Sequence, residues 1–335
     1  MKPLICVPMG DPAGIGAEII IKSLCKNDFS DDCQIVVVGD RQWLQQTADC
    51  CRLSVQFTPF TRQSNVGHHP GLIHLFSSPI STGNTQPITP GSISASAGKA
   101  ALQFIKQSVH MTKTQGVNAL ATTPINKESL KAAKIPFIGH TEILASLTGR
   151  SEPLTLFQVK NLRVFFLTRH LSLRQACNAV TEEKVYQTAI RACQTLQNLG
   201  VKKPHMAIAG LNPHCGEDGL FGNEERQAIK PAVLRAKNDG FNVSGPYPAD
   251  SVFHQALNGM FDGVLSLYHD QGHIATKMVD FERTVSITCG LPFLRTSVDH
   301  GTAYDIAGKN LASEVSMTEA IRLAARYSDQ FMEIE

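Results

Sequence analysis

The chain has 335 residues, 42% of them hydrophobic, with 31 lysines and arginines against 29 acidic residues and a formal net charge of +2. Such a length can bury the core of one large α/β domain or of two lobes, and the charge balance gives no electrostatic case for nucleic acid or an anionic membrane as partner. Nine cysteines lie scattered without a C-x-x-C pair, the usage of reduced thiols rather than of a disulfide framework. The opening MKPLICVPMGDPAGIG meets Pro, Asp and Gly too early for a signal peptide, and no stretch approaches the ~20 apolar residues of a spanning helix. A soluble, cytoplasmic enzyme is expected.

In chain order, short β-branched runs lead through turns into segments of helical period. LICVPM precedes AEIIIKSLCK, QIVVVGD precedes RQWLQQTADC, and VNALATTP precedes KESLKAAK, the alternation of βα units in a largely parallel sheet. Residues 77–96 are rich in Ser, Thr, Pro and Gly and read as an exposed loop before the helix AGKAALQFIKQSVHMTK. In PLTLFQVKNLRVFFLTRH two apolar runs flank Lys160, Asn161 and Leu162, the pattern of an antiparallel hairpin. TEEKVYQTAIRACQTLQNLG, with Thr181 as N-cap, and NEERQAIKPAVLRAKNDG are helices that each end at a glycine. The last helix is expected to open with Ser316 and Glu319 at capping-box spacing.

Three histidines share one context. RVFFLTRH puts His170 just past an apolar strand, HMAIAGLNPH does so for His214, and GVLSLYH for His269. Open α/β sheets bind ligands outside the carboxyl ends of their strands. The three rings are therefore candidates to converge on one ion, leaving positions open for water or substrate as catalytic zinc sites do; the competing reading is that each caps a strand or bonds a loop. His273 follows His269 by four residues, a metal-pair spacing on a helix, but Asp270, Gln271 and Gly272 favour a turn. That places His273 behind the ligands or on the surface. Asp270 is suited to orient a metal-bound His269, and Asp250 in PYPADSVF is a further supporting acid or ligand.

TTPINKE puts Lys127 at the entrance of a helix, and GHTEIL supplies His140 and Thr141 as donors before another. Helix starts of this kind suit phosphate or carboxylate, although a solvated lysine there is as common. LPFLRTSVDHGTA offers Arg295, Thr296 and Ser297, arginine being the better bidentate partner for either anion. With Lys277 the set points to a small anionic ligand. GDPAGIGAE lacks G-x-G-x-x-G spacing and reads as a tight strand-to-helix turn that needs small residues. Neither G-x-x-x-x-G-K-[ST] nor G-x-S-x-G occurs, so kinase-like and serine-hydrolase readings lose support.

Taken in order, GDPAGIG, TTPINKE, PFIGHTEIL, LNPHCGEDG, GPYPAD, YHDQG and GLPFLRTSVDHGTA resemble the 4-hydroxythreonine-4-phosphate dehydrogenase family of vitamin B6 biosynthesis, from about Gly10 to Gly308. The resemblance implies an α/β fold of the isocitrate/isopropylmalate dehydrogenase type, two-lobed and α/β/α, with a mixed, largely parallel sheet. Residues 1–130 with 305–335 would form the first lobe, and 131–304 the second, carrying most of the metal and substrate site. It also implies a homodimer with the active site shared at the interface. A divalent metal would be held by His170, His214 and His269, one of them from the partner chain, with zinc preferred over magnesium or cobalt. NAD or NADP would be the oxidant, with no cofactor-contacting residue assigned. Substrate contacts carry over to His140, Thr141, Lys277 and Arg295. Ser286 stands where the family carries asparagine, and His273 where several biosynthetic members carry leucine; YHDQGH is also similar to relatives acting on four-carbon phosphorylated acids such as D-threonate 4-phosphate.

The family reaction oxidises the C3 hydroxyl of 4-phosphooxy-L-threonine, and the resulting 2-amino-3-oxo acid loses carbon dioxide to give 3-amino-2-oxopropyl phosphate. Lys277, Asp250 or a metal-bound water are the candidates for proton acceptor. In a rival class, a metal-dependent hydrolase of phosphorylated compounds would use the same histidines without NAD.

Overall fold

The computed structural model describes residues 2–61, 67, 69–81, 87–150, 153–328 and 330–331. Of the stretches read from the sequence, residues 82–86 of the expected loop and the C-terminal 332–335 lie outside the described residues. Contacts along the backbone divide the chain into two compact units, one of Met1–Pro153 with Leu291–Glu333, the other built on Leu154–Gly290.

The first unit runs β1 (Leu4–Pro8), α1 (Gly16–Lys26), β2 (Gln34–Gly39), α2 (Arg41–Cys50), β3 (Gln56–Pro59), β4 (Leu72–Ser77), α3 (Ala95–Thr114), β5 (Ala119–Thr122), α4 (Lys127–Ala132) and α5 (His140–Thr148). The second runs β6 (Leu154–Val159), β7 (Leu162–Phe166), α6 (Leu173–Asn178), α7 (Glu182–Asn198), β8 (Met206–Ala209), α8 (Lys230–Asn238), β9 (Val243–Tyr247), α9 (Ala249–Leu257), β10 (Gly263–Ser266), α10 (His269–Val279) and β11 (Val285–Cys289). The chain then returns to the first unit with β12 (Leu294–Val298) and α11 (Val315–Ser328). The joints fall after Pro153 and Gly290 rather than near 130 and 304 because α5 rests on α3 and β12 pairs with β5.

Strands of the first unit lie in the order β3-β4-β2-β1-β5-β12, every neighbouring pair parallel. β1 and β5 are buried at each residue, which is why they read as continuous apolar runs rather than alternations. The turn after β1 needs its small residues. Gly10 has φ +74°, and a Cβ there would lie 2.2 Å from Thr123 Oγ1; at Gly16 it would lie 2.4 Å from the Met9 carbonyl. Inside α1 a buried ion pair, Lys22 Nζ to Glu18 Oε1 at 2.8 Å, also bonds the backbone of Ala312 through both members, at 2.7 and 2.8 Å, tying the C-terminal segment to the helix. The capping box at Ser316 does not form. Thr318 N–H donates to the Glu314 carbonyl at 3.0 Å, so the helix starts one residue earlier and buries Ser316. Packing decides this start: Thr318 meets Ser23 of α1 oxygen to oxygen at 2.9 Å, and Thr296 of β12 donates to the Ala320 carbonyl at 2.8 Å.

In the second unit the order is β11-β6-β7-β10-β8-β9, with β11, β6 and β7 antiparallel and the rest parallel. The hairpin expected from the sequence joins β6 to β7 through Lys160, at φ +51°, and Asn161; Leu162 already pairs with Val159. Thr181 caps α7, accepting from Lys184 N–H. Phe157, Val164 and Phe166 of the sheet pack with Val252, Phe253 and Ala256 of α9 in one apolar cluster. Among the described residues no helix is long and apolar enough to cross a membrane.

Candidate functional site

β7, β10 and β8 are parallel neighbours, so their carboxyl ends share one edge of the sheet, and His170, His269 and His214 follow these ends. Two of the rings come together: the His170 and His269 centroids are 6.2 Å apart. His269 Nδ1 donates to Asp270 Oδ1 at 2.7 Å, which orients the ring and directs its other nitrogen, Nε2, away from the carboxylate. A pair of imidazoles with one ring held by a carboxylate is a donor set for a borderline divalent ion. His214 does not join them, and no cluster of three His, Cys, Asp or Glu side chains able to hold an ion occurs among the described residues.

The segment after β10 is a helix and not the turn expected of Asp270, Gln271 and Gly272. Its glycine is a packing requirement, since a Cβ at Gly272 would lie 2.6 Å from Phe166 Cε1, 2.7 Å from Ser266 Oγ and 2.8 Å from Val164 Cγ1. The helix therefore brings His273 under His269, their centroids 4.0 Å apart and stacked, with Phe157 at 4.3 Å and Phe166 at 4.7 Å. His273 is buried, not at the surface, and its Nδ1 has no partner. Burial, then the charges of His269 and Lys277, lower its pKa to about 4, so the ring is neutral. Lys277, two turns from the start of α10, is half-buried with Nζ 5.1 Å from the Phe281 ring. Ser286 lies half-buried on β11 opposite Phe157. Asp250 is exposed in the first turn of α9, where its charge reaches the Cys215 thiol beside His214.

His214 sits in an unusual turn. From His214 to Asp218 five consecutive residues have positive φ, four of them non-glycine at φ 40° to 57°, a conformation costing on the order of 1 kcal/mol or more per non-glycine residue. Two side chains brace its approach. Glu225 accepts from the Leu211 and Asn212 N–H groups, each at 2.7 Å, and from Asn212 Nδ2 at 2.8 Å. Gln271 donates to the Gly210 carbonyl at 2.8 Å while accepting from Leu267 N–H at 2.7 Å, linking the ends of β8 and β10.

The first unit holds the remaining candidates. Arg295 on β12 is 5% exposed, donates Nε–H to Thr122 Oγ1 at 3.0 Å, and has its pKa pulled down to about 9 by burial. His140 and Thr141 open α5, and His140 Nε2 is buried without a partner. Burial and, second, the Arg295 guanidinium hold His140 well below its ordinary value of 6.5. A buried cation beside a neutral ring with a bare nitrogen is receptive to carboxylate or phosphate. Since His140 stays neutral when folded but protonates freely when unfolded, the unfolded state binds more protons as pH falls below 6.5, and stability is lost in that direction. Urea unfolding at about pH 7.5 and 5.5 should show a loss that His140→Gln reduces; an equal loss in both proteins would refute this.

Sequence reasoning missed Gln271, Glu225 and a second polar group at the end of β1. Tyr304 O–H donates to the fully buried Asp11 at 2.9 Å and lies 2.9 Å from Ser129 Oγ. Burial raises the Asp11 pKa. In GDPAGIG the sequence shows the glycines and a family motif, but not the contact of Asp11 with Tyr304.

Imidazoles that follow the carboxyl ends of parallel strands, in a chain that also buries a guanidinium within β12, define the class, an open-sheet α/β protein, whose members bind ligands outside strand ends. The chain belongs to the PdxA family, whose model, Pyridoxal phosphate biosynthetic protein PdxA, matches residues 31–324. It is similar to a protein of Halalkalibacterium halodurans named provisionally as a D-threonate 4-phosphate dehydrogenase, 52% identical over 331 residues, covering 99% of this chain and 98% of the relative. Among solved structures it is similar to 4-hydroxythreonine-4-phosphate dehydrogenase from Klebsiella pneumoniae, with a TM-score of 0.90, 39% identity and 98% of both chains covered. It is also similar to terephthalate 1,2-cis-dihydrodiol dehydrogenase from Burkholderia xenovorans LB400, with a TM-score of 0.66, 26% identity, and 97% of this chain and 98% of that one covered. The family resemblance carried by the motifs is borne out, as is the largely parallel α/β fold.

Proposed function

We propose that the protein is a cytoplasmic, metal-dependent, NAD- or NADP-linked dehydrogenase that oxidises and decarboxylates a four-carbon phosphorylated acid, D-threonate 4-phosphate in preference to 4-phosphooxy-L-threonine. The order of likeness carries this reading: 52% identity over the whole length to the relative named for D-threonate 4-phosphate, against 39% to the 4-hydroxythreonine-4-phosphate dehydrogenase. Two residues agree with it. Ser286 presents a short hydroxyl where the biosynthetic family carries an amide, and His273 places a neutral ring against His269.

His170 and His269, with His214 supplied by a second copy of the chain, would hold the ion, zinc suiting this donor set better than magnesium, with cobalt as an alternative. When bound, such an ion acidifies a substrate alcohol and polarises a ketone. His140, Thr141 and Arg295 hold the substrate's anionic groups, and Lys277 or Asp250 accepts the C3 hydroxyl proton as hydride leaves for the nicotinamide. The 2-hydroxy-3-oxo acid then loses its carboxyl group as carbon dioxide, and protonation at C2 gives dihydroxyacetone phosphate. A homodimer is supported by the apolar side chains on and just beyond α10, where Ile274, Met278 and Phe281 are 62%, 81% and 66% exposed.

NADH formation with each substrate, with and without a chelator, tests the reading. Chelator-sensitive turnover favouring D-threonate 4-phosphate by about tenfold or more in kcat/KM, about 1.4 kcal/mol, is expected. Preference for 4-phosphooxy-L-threonine would return the protein to the vitamin B6 step, and phosphate release without NAD would make it a hydrolase.

A further inference from the structure

We infer that Glu225 is a positioning residue for metal binding, setting the place of His214 by clamping the root of the left-handed turn that carries it; the inference rests on the metal reading above. The turn is left-handed and strained along its length. It is a short 3-10 segment, Pro213–Gly219, closed at its ends by Cys215 N–H to the Asn212 carbonyl at 3.1 Å, Leu220 N–H to the Glu217 carbonyl at 3.1 Å and Phe221 N–H to the Gly216 carbonyl at 3.2 Å, and four of its five positive-φ residues carry a Cβ that the left-handed region disfavours. Something outside it must over-determine the backbone.

Glu225 fits that role by reach and by burial. It is 2% exposed and lies 11 residues beyond His214 in the chain, in a single wide turn, Glu225–Ile229, that leads into α8. One carboxylate oxygen takes both N–H groups that precede Pro213, and the other takes the Asn212 amide. The far side of the turn closes on the same carboxylate: a Cβ at Gly216, at φ +80°, would lie 2.9 Å from Glu225 Oε2. Glu224 adds a bond from Asn212 Nδ2 at 2.7 Å, so Asn212 is held by two acids. A wide helical turn of this kind is uncommon and recurs at functional sites. Here it turns a helix-entry residue back toward the strand end.

Glu225→Gln keeps the size of the side chain but puts an N–H₂ group against the Asn212 amide or the backbone N–H pair. Zinc affinity, by competition with a chromophoric chelator, should weaken 10- to 100-fold, the effect usual for residues that orient ligands. The visible absorption bands of the cobalt-loaded protein should shift, and kcat should fall more than KM rises. Asn212→Ala, which leaves the two backbone bonds in place, should give the same changes to a smaller degree and decides the matter if Glu225→Gln does not fold. Unchanged affinity and an unchanged cobalt spectrum in a folded variant would overturn the inference, even with a lowered unfolding temperature. Zinc binding by the wild type that His269→Ala and His214→Ala leave intact would instead overturn the metal reading itself.

Discussion

His269→Ala is expected to remain folded, to lose measurable zinc affinity, and to fall in turnover by about 10³-fold, since a metal contributes several kcal/mol to a developing alkoxide and about 4 kcal/mol corresponds to that factor. The ring is only half-buried and stands at the start of α10, so its removal leaves the helix and the apolar cluster in place. Its loss also strips Asp270 of the imidazole it orients. Zinc titration and circular dichroism on one preparation check both parts. A folded variant that turns over at the wild-type rate would remove the metal from the mechanism.

Gly272→Val should produce the larger loss of stability, about 3 kcal/mol, at the upper end of what overpacking costs. Its Cβ would meet Phe166, Ser266 and Val164 at 2.6 to 2.8 Å, and all three contacts belong to side chains within the sheet. The helix could relieve them only by lifting away, carrying His269 and His273 with it. Denaturant unfolding should show the loss, with weaker zinc binding in parallel. Gly301→Ala is the control, because nothing lies within 4 Å of a Cβ there. A Gly272→Val protein within about 0.5 kcal/mol of the wild type would show that the close approach is not needed.

Much of the local structure in both units was legible because its signals act over short stretches. A β-branched run buried on both faces, an N-cap such as Thr181 and a two-residue hairpin at Lys160 act over a few residues, and each stands where the sequence puts it. The strand-end position of His170, His214 and His269 was legible for the same reason. The family, too, was carried by short motifs in a definite order.

Other features were set at long range. Local preference at Asp270, Gln271 and Gly272 favours a turn, yet a glycine costs a helix only about 1 kcal/mol, less than docking α10 on the sheet returns. That docking is what makes His273 a buried, neutral ring. Ser316 loses its capping role in the same way, to contacts with residues about 300 positions away in the chain. The pairing of β7, β10 and β8 as neighbours depends on crossovers that no linear pattern encodes, and only that order puts His170 and His269 within 6.2 Å. The sequence by itself determined the βα alternation, the Thr181 cap and the family. Tertiary structure decided which polar groups meet, because hydrogen bonds such as those of Glu225 and Gln271 depend on separations in space that spacing along the chain does not specify.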